Sequence, residues 1–126
     1  MTVRPRILII DDNEMVRSSM RLILRSYSVA EASNGREGLE LFHTEKPHLI
    51  ISDLAMPDMG GVAMITQMKK FQPAPKILAI SGHPDRLEAL ADEVPLEGTL
   101  PKPFGARELL EAVEMALAKD QPSVGC

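Results

Sequence analysis

Four short apolar runs in this sequence each end at polar or charged residues whose side chains could take part in chemistry. In chain order these residues are the pair Asp11-Asp12, then Asp53, Ser81 and Lys102. Short apolar runs of this kind are typical of the buried strands of a parallel sheet. The carboxyl ends of such strands lie along one edge of the sheet, where ligands bind in open α/β folds. The sequence therefore predicts that these residues form one site.

Three carboxylates at one edge would repel one another unless a cation, a proton or water offsets their charge. Two like charges about 4 Å apart repel by about 4 kcal/mol at an effective dielectric constant near 20. Mg²⁺ commonly binds one or two carboxylates, several waters and a phosphate oxygen. Asp11, Asp12 and Asp53 therefore predict a site for a divalent cation, and Ser81 and Lys102 add hydrogen-bond donors for anionic oxygens.

This combination of groups suits phosphoryl transfer, which depends on positioning and on neutralising charge. A carboxylate can act as the nucleophile and form an aspartyl phosphate. Asp53 is the best candidate for that role, because no acid is immediately beside it and it ends the central apolar run.

The elements that must position these residues alternate between strand and helix five times along the chain. Strands are predicted at 6–10, 28–33, 48–53, 76–81 and 96–100, and helices at 14–27, 36–46, 62–71, 85–93 and from about 104 or 105 to 118. Asn34-Gly35 is interpreted as a turn. The alternation predicts an α/β fold, a doubly wound five-stranded parallel sheet with helices on both faces. In the flavodoxin-like order 2-1-3-4-5, the first and third strands are neighbours, so their acids converge.

With these residues in place, the sequence resembles the receiver domain of two-component response regulators, the CheY-like family. The matching segments are Ile7–Asn13, Asp53 with Met56-Pro57 and Gly60-Gly61, Ile80-Ser81-Gly82, and Lys102-Pro103-Phe104. Each segment alone is moderately specific, whereas the four in this order and spacing are highly specific. We expect residues 5–119 to form the receiver domain and residues 120–126 to form a flexible C-terminal tail.

The resemblance implies a role for each acid. Asp53 would accept a phosphoryl group from a sensor histidine kinase or a histidine phosphotransfer protein. Asp12 would bind Mg²⁺ directly and Asp11 mainly through water. Asp53 itself and the backbone carbonyl of Ala55 would be further ligands of the Mg²⁺ ion.

The resemblance also implies how the switch works. Lys102 would contact the phosphoryl oxygens, and its peptide bond to Pro103 would be cis. Ser81 would move to bind the phosphate, and an unknown output protein would contact the face made by the fourth helix, fifth strand and fifth helix. Receivers usually carry Tyr or Phe three residues before the lysine, where this chain has Thr99. The aromatic part of the switch is therefore missing.

The composition narrows the partners. The chain has 126 residues, a net charge of −4 and no long basic run, so direct DNA binding has little support. No window approaches the roughly 18 apolar residues of a membrane span. The one cysteine, Cys126, has no intrachain partner, which favours a cytoplasmic location. Arg17, Arg21 and Arg25 predict a solvated face of the first helix, where a kinase or phosphotransfer protein could also dock.

Several functions are open at this point. The first is a single-domain response regulator, which catalyses transfer of a phosphoryl group from a donor to its own aspartate and has no separate substrate to turn over. The second is a pseudo-receiver, a binding module that is never phosphorylated. A phosphatase of the haloacid dehalogenase type would need an acid two residues after the nucleophile, where this chain has Ala55. A flavodoxin-like nucleotide-binding protein would need a Gly-rich loop after the first strand.

Overall fold

A computed structural model describes residues 4–55 and 60–119, and the elements follow the predicted alternation. Within these residues the strands are β1 (Arg6–Ile10), β2 (Ser28–Ala32), β3 (Leu49–Asp53), β4 (Ile77–Ser81) and β5 (Gly98–Pro101). The helices are α1 (Glu14–Ile23), α2 (Gly35–Glu45), α3 (Gly61–Met68), α4 (Pro84–Glu93) and α5 (Ala106–Ala118). The tail predicted at residues 120–126 lies outside the described residues.

The strands form one parallel sheet in the order β2-β1-β3-β4-β5, which confirms the predicted doubly wound fold. Ile10 at the end of β1 pairs with Ser52 in β3, and Ser81 at the end of β4 pairs with Pro101 in β5. The order reverses between β1 and β3. This register aligns the carboxyl ends of the strands, so the residues that follow them lie along one edge.

Both faces of the sheet are buried. Even-numbered residues of β1 and β3 face a core shared with α2, α3 and α4, in which Ile50 and Met64 are fully buried. Odd-numbered residues face a second core shared with α1 and α5, which includes Ile51 and Val113. Complete burial of one such side chain contributes about 1.5–3 kcal/mol. Asp53 continues the odd-numbered series of β3, so strand alternation directs it toward the α1 and α5 side.

Two helices end earlier than the apolar spacing indicated. α1 ends at Ile23 rather than at Tyr27, and α3 ends at Met68 rather than at Phe71. In each case the predicted last residue donates its N–H three residues back, Tyr27 to the carbonyl of Leu24 and Phe71 to that of Met68, which is the pattern of a turn. Leu24 is nevertheless fully buried, so the apolar pattern continues past the end of the helix.

The start of β5 was also predicted wrongly. The strand begins at Gly98, two residues after the predicted start at residue 96. Just before it, the carboxylate of Glu97 accepts the N–H of Ile77 at 2.7 Å and binds Nζ of Lys69 at 2.9 Å. A side-chain carboxylate, and not a backbone carbonyl, therefore accepts the N–H of Ile77 at this point.

The segment interpreted as a turn at Asn34-Gly35 is instead the start of α2. The side chain of Asn34 accepts the N–H of Glu37 at 2.8 Å, and Gly35 is the first helical residue. Asn is a favoured residue at this capping position because its side-chain oxygen replaces a missing helical acceptor. A turn-forming pair and a helix start share the same residue types, which explains the error.

Candidate functional site

Three carboxylates meet at the carboxyl edge of β1 and β3. Asp11 and Asp12 come directly after β1, and Asp53 is the last residue of β3. Each offers one oxygen, and these oxygens all lie within 4.8 Å of one another. Asp11 is fully buried and Asp53 is 5% exposed, whereas Asp12 is exposed to solvent. The reversal of strand order between β1 and β3 thus brings the three acids together.

Lys102 reaches this cluster from the end of β5. Its Nζ lies 2.9 Å from Oδ2 of Asp53 and 3.3 Å from Oδ2 of Asp11. Its backbone N–H donates to the carbonyl of Ser81 at 2.9 Å, and its peptide bond to Pro103 is cis, as the resemblance implied. One ammonium among three carboxylates leaves a formal excess of two negative charges.

Burial and charge act in opposite directions on the pKa values in this cluster. Desolvation by burial raises the pKa of Asp11, and the hydrogen bond from Asn13 and the charge of Lys102 offset this only in part. Burial alone would lower the pKa of Lys102. The hydrogen bond to Asp53 and the charges of Asp11 and Asp53 outweigh burial, so the pKa of Lys102 is raised. Lys102 therefore remains an ammonium at neutral pH.

The donor set fits a hard divalent cation. Every candidate side-chain ligand is a carboxylate oxygen, the ligand type that Mg²⁺ prefers, and the exposed Asp12 leaves room for the waters that this ion retains. The two buried carboxylates are oriented by backbone donors. Asn13 N–H binds Oδ1 of Asp11 at 2.9 Å, and Ala55 N–H binds Oδ1 of Asp53 at 3.1 Å. This acidic cluster could therefore hold a metal ion.

Ser81 lies at the same edge but outside the ion-pair cluster. It ends β4 and is fully buried. Its hydroxyl oxygen accepts the N–H of His83 at 3.0 Å. Within residues 4–55 and 60–119, no hydrogen bond joins this side chain to Asp53 or Lys102, and no group accepts its hydroxyl proton. The hydroxyl therefore has a hydrogen-bond donor to offer a ligand.

The segment that follows Asp53 is described only in part. Residues 56–59, which include the matching pair Met56-Pro57, lie outside the described residues. At Gly61, a side-chain Cβ would overlap the carbonyl oxygen of Asp53, so a glycine allows α3 to begin against the end of β3. The role that the resemblance implies for the Ala55 carbonyl stays a prediction.

Thr99 occupies the position at which the family that this sequence resembles usually has an aromatic residue, whose ring moves inward on activation. It pairs with Ala79 across β4 and β5, and its side chain is exposed. The structure therefore places a small polar group, and no aromatic ring, on this part of the α4–β5–α5 surface.

The interpretation of Arg17 as part of a solvated face was wrong. Its side chain is only 14% exposed, and its Nε binds Oε1 of Glu31 in β2 at 3.2 Å. Its Nη1 donates to the backbone carbonyl of Asp11 at 2.6 Å. No motif in the sequence connected Arg17 and Glu31 with the site. The signal available was an arginine four residues after the capping Asn13 together with a charged residue inside a short strand.

Comparison with known proteins agrees with this geometry. The sequence profile of the family described as the response regulator receiver domain matches residues 7–114. That span contains both acid-bearing strand ends as well as Ser81 and Lys102. The chain belongs to the response regulator receiver domain family.

Response regulators from several organisms are similar in sequence to almost the whole of this chain. Response regulator MprA of Mycolicibacterium vanbaalenii is 32% identical over 123 residues, which are 95% of this chain and 53% of the relative. Transcriptional regulatory protein GlrR of Escherichia coli strain K12 is 32% identical over 122 residues, which are 93% of this chain and 27% of the relative. The chain thus spans about half of the first relative and about a quarter of the second.

Solved structures of receiver proteins superpose closely. A putative response regulator from Chloroflexus aurantiacus gives a TM-score of 0.85 at 26% identity, covering 92% of this chain and 99% of that one. Chemotaxis response regulator CheY4 of Vibrio cholerae gives 0.83 at 26% identity, covering 91% and 99%. These neighbours have the same flavodoxin-like fold.

No helix in the described parts of the chain is both long enough and apolar enough to cross a membrane.

Proposed function

We propose that this chain is a Mg²⁺-dependent phosphoryl acceptor that acts as a signalling switch or a phosphorelay intermediate. The donor would be a sensor histidine kinase or a histidine phosphotransfer protein, and the acceptor would be Asp53. The observation that carries the proposal is the position of Asp53 within the cluster. Asp53 is the last residue of the central strand. Its carboxylate accepts a hydrogen bond from the ammonium of Lys102 at 2.9 Å and lies beside two further acids. Membership of the receiver family supports it.

The proposed reaction is a transfer between two acceptors. An oxygen of Asp53 attacks the phosphorus of a phosphohistidine, a new O–P bond forms and the P–N bond breaks. The bonding electrons of that bond go to the imidazole nitrogen, and the product is an aspartyl phosphate. Oδ1 of Asp53 is held by the N–H of Ala55 at 3.1 Å, so the carboxylate is oriented before the donor arrives.

Lys102 and Ser81 would donate hydrogen bonds to the transferred phosphoryl group, and Lys102 would also offset part of its negative charge. The Lys102 ammonium can donate to the phosphoryl oxygens as it now donates to Asp53 and Asp11. The hydroxyl of Ser81 has a proton to donate, and its turn toward the phosphate would disturb its present bond with the N–H of His83. Because His83 immediately precedes α4, this movement would couple the phosphate to that helix.

The proposed cation would be held by Asp11, Asp12, Asp53 and the backbone carbonyl of Ala55, with Asp11 acting mainly through water. When bound, Mg²⁺ would offset the excess negative charge of the acids and of the incoming phosphoryl group. Both carboxylate oxygens of Asp11 already accept hydrogen bonds, from the N–H of Asn13 and from Lys102, whereas Asp12 is exposed, and this supports the division of roles.

The proposed output is a change of partner affinity. Phosphorylation adds about −1.5 to −2 charges and would shift a two-state equilibrium of the α4–β5–α5 face, where an output protein would bind. We propose that the chain acts through protein contacts in the cytoplasm, without direct DNA binding, membrane insertion or turnover of a separate substrate. The acidic net charge of −4 and the lack of a basic run support the view on DNA.

A phosphohistidine donor tests the proposal. Incubation with a phosphotransfer protein carrying labelled phosphate should move the label to this chain in the presence of Mg²⁺. Borohydride reduction of an acyl phosphate yields homoserine, so peptide mapping should place it at position 53. If neither several phosphotransfer proteins nor small phosphoryl donors label this chain, the pseudo-receiver would be favoured. Label mapped to any other residue would contradict the role of Asp53.

A further inference from the structure

Arg17 of α1 and Glu31 of β2 form a mostly buried ion pair beside the acid pair. Nη1 of Arg17 donates to the backbone carbonyl of Asp11 at 2.6 Å, and its Nε lies 3.2 Å from Oε1 of Glu31. The side chains of Arg17 and Glu31 are 14% and 24% exposed. The second oxygen of Glu31 binds Arg21 at 3.1 Å, but Arg21 is 61% exposed and makes no described contact with Asp11.

Two hydrogen bonds, one to β2 and one from Arg17, fix the backbone on both sides of Asp11. Its N–H donates to the carbonyl of Ala32 at 3.1 Å, and its carbonyl accepts the guanidinium of Arg17. That carbonyl belongs to the peptide unit that leads into Asp12, so its orientation sets the backbone direction of Asp12. Among the described residues, no hydrogen bond holds the exposed carboxylate of Asp12. The position of this carboxylate near Asp53 therefore depends on its backbone.

Arginine suits this task for two reasons. Its planar guanidinium presents several donors in a fixed arrangement, so it can bind the carbonyl of Asp11 and the carboxylate of Glu31 at once. A positive charge close to a cation site would by itself weaken cation binding, and the carboxylate of Glu31 offsets it. The ion pair thus supplies a hydrogen bond to Asp11 with little net charge.

We propose that Arg17, anchored by Glu31, is a positioning residue for the divalent-cation site and holds the Asp11-Asp12 segment ready for the ion. This inference rests on the proposed function, which includes that site. Loss of a partner that orients a metal ligand typically weakens metal affinity by about 10–100-fold. We therefore expect Arg17→Ala to weaken Mg²⁺ binding about tenfold or more. Simple charge removal would have the opposite effect, because it would strengthen cation binding.

The test is calorimetric titration of the full metal-free chain with MgCl₂. Arg21→Ala is the matched control, because it removes the same type of charge from the same partner but no contact with Asp11. The expected result is Mg²⁺ binding that is weakened about tenfold or more in Arg17→Ala and close to wild type in Arg21→Ala. Thermal unfolding without metal shows whether each variant folds.

Three results would overturn the inference. They are equal or tighter binding by Arg17→Ala, equal weakening in both arginine variants, and failure of the wild type to bind Mg²⁺. The last would contradict the proposed function as well, which separates the two failures. If Arg17→Ala does not fold, Glu31→Gln replaces it, since this variant keeps the shape of the anchor and removes its charge. Unchanged Mg²⁺ affinity in Glu31→Gln would then count against the inference.

Discussion

At the scale of single residues, the ammonium of Lys102 is shared between the proposed phosphoryl acceptor and a neighbouring acid. It lies 2.9 Å from Asp53 and 3.3 Å from Asp11. It therefore reduces the repulsion among the carboxylates but competes with a cation for the same oxygens. Its two effects on function should have opposite signs, which makes them separable by experiment.

We expect Lys102→Met to bind Mg²⁺ more tightly, by about tenfold, because a competing positive charge is removed. We also expect it to accept phosphate about 100-fold more slowly, since a donor to the phosphoryl oxygens is lost. Calorimetry measures the first effect and a mass-spectrometric time course the second. The exposed Lys119 provides the control, and Lys119→Met should change neither. A slower reaction with weaker Mg²⁺ binding would contradict this account of Lys102.

The buried Asp11 should make stability depend on pH. Burial raises its pKa above the ordinary value of 3.8, so the folded state holds the proton more tightly than the unfolded chain does. The resulting stabilisation is fully present below the ordinary pKa and is lost as pH rises through the raised folded pKa. As pH rises from the ordinary pKa through the raised folded pKa, we expect the free energy of unfolding of wild type to fall relative to that of Asp11→Asn. Urea unfolding in EDTA measures this difference. A difference between the two proteins that does not change with pH would contradict the raised pKa.

Residue types and order identified the candidate cluster, but they did not identify Arg17. Asp11, Asp53 and Lys102 stand at the ends of apolar runs, and sheet order alone brings strand ends together. The regular spacing of arginines on α1 instead suggested a solvated face. Arg17 and Glu31 belong to different elements, α1 and β2, so their contact depends on tertiary packing, which no local pattern specifies.

At the scale of elements, the junction between β3 and α3 depends on the absence of a side chain at Gly61. A Cβ there would overlap the carbonyl oxygen of Asp53 and approach the backbone of Leu54. A Cβ on Gly60 would contact nothing within residues 4–55 and 60–119. The backbone of Gly60 is extended, with φ −63° and ψ 152°, which other residues adopt readily. The two adjacent glycines therefore form a matched pair for an experiment.

We expect Gly61→Ala to lower the free energy of unfolding by about 1–3 kcal/mol, because backbone must shift to admit the methyl group. It should also weaken Mg²⁺ binding, because that shift moves the end of β3. Gly60→Ala should stay within about 0.5 kcal/mol of wild type. Urea unfolding and calorimetry measure the two effects, and similar losses in both variants would show that the close approach at Gly61 is not the cause.

The centres of the elements followed from the sequence, whereas several of the ends did not. Apolar spacing reports which residues face the core, and Leu24 faces the core although α1 has already ended. The end of a helix depends on which carbonyls the next N–H groups reach, and the start of β5 depends on the side chain of Glu97. The bond between Ile77 and Glu97 joins two segments that only the folded chain brings together.

At the scale of the whole molecule, a cation that binds only the folded state should stabilise the entire chain. At a Mg²⁺ concentration about 100 times its dissociation constant, we expect a gain of about 2.7 kcal/mol in the free energy of unfolding. Asp12→Asn should reduce this gain, because it removes one of the three clustered carboxylates. Asp92→Asn, at an exposed position on α4, should retain it. An equal gain in both variants would place the effect of Mg²⁺ elsewhere.

The overall topology was the most predictable feature. Five alternations of strand and helix with short connections leave few arrangements, and the observed order β2-β1-β3-β4-β5 is the predicted one. The reversal between β1 and β3 brings Asp53 beside the adjacent pair Asp11-Asp12, which is distant from it in sequence, and so forms one cluster. The fold and the candidate site therefore have the same origin in strand order.

The central claim is that Asp53 accepts a phosphoryl group with the help of Mg²⁺. The most direct measurement is the intact mass after incubation with acetyl phosphate, with and without Mg²⁺, for wild type and Asp53→Asn. We expect an added mass of about 80 Da, one phosphoryl group, only in wild type and only with Mg²⁺. The same adduct on Asp53→Asn, or an adduct that forms equally without Mg²⁺, would contradict the account.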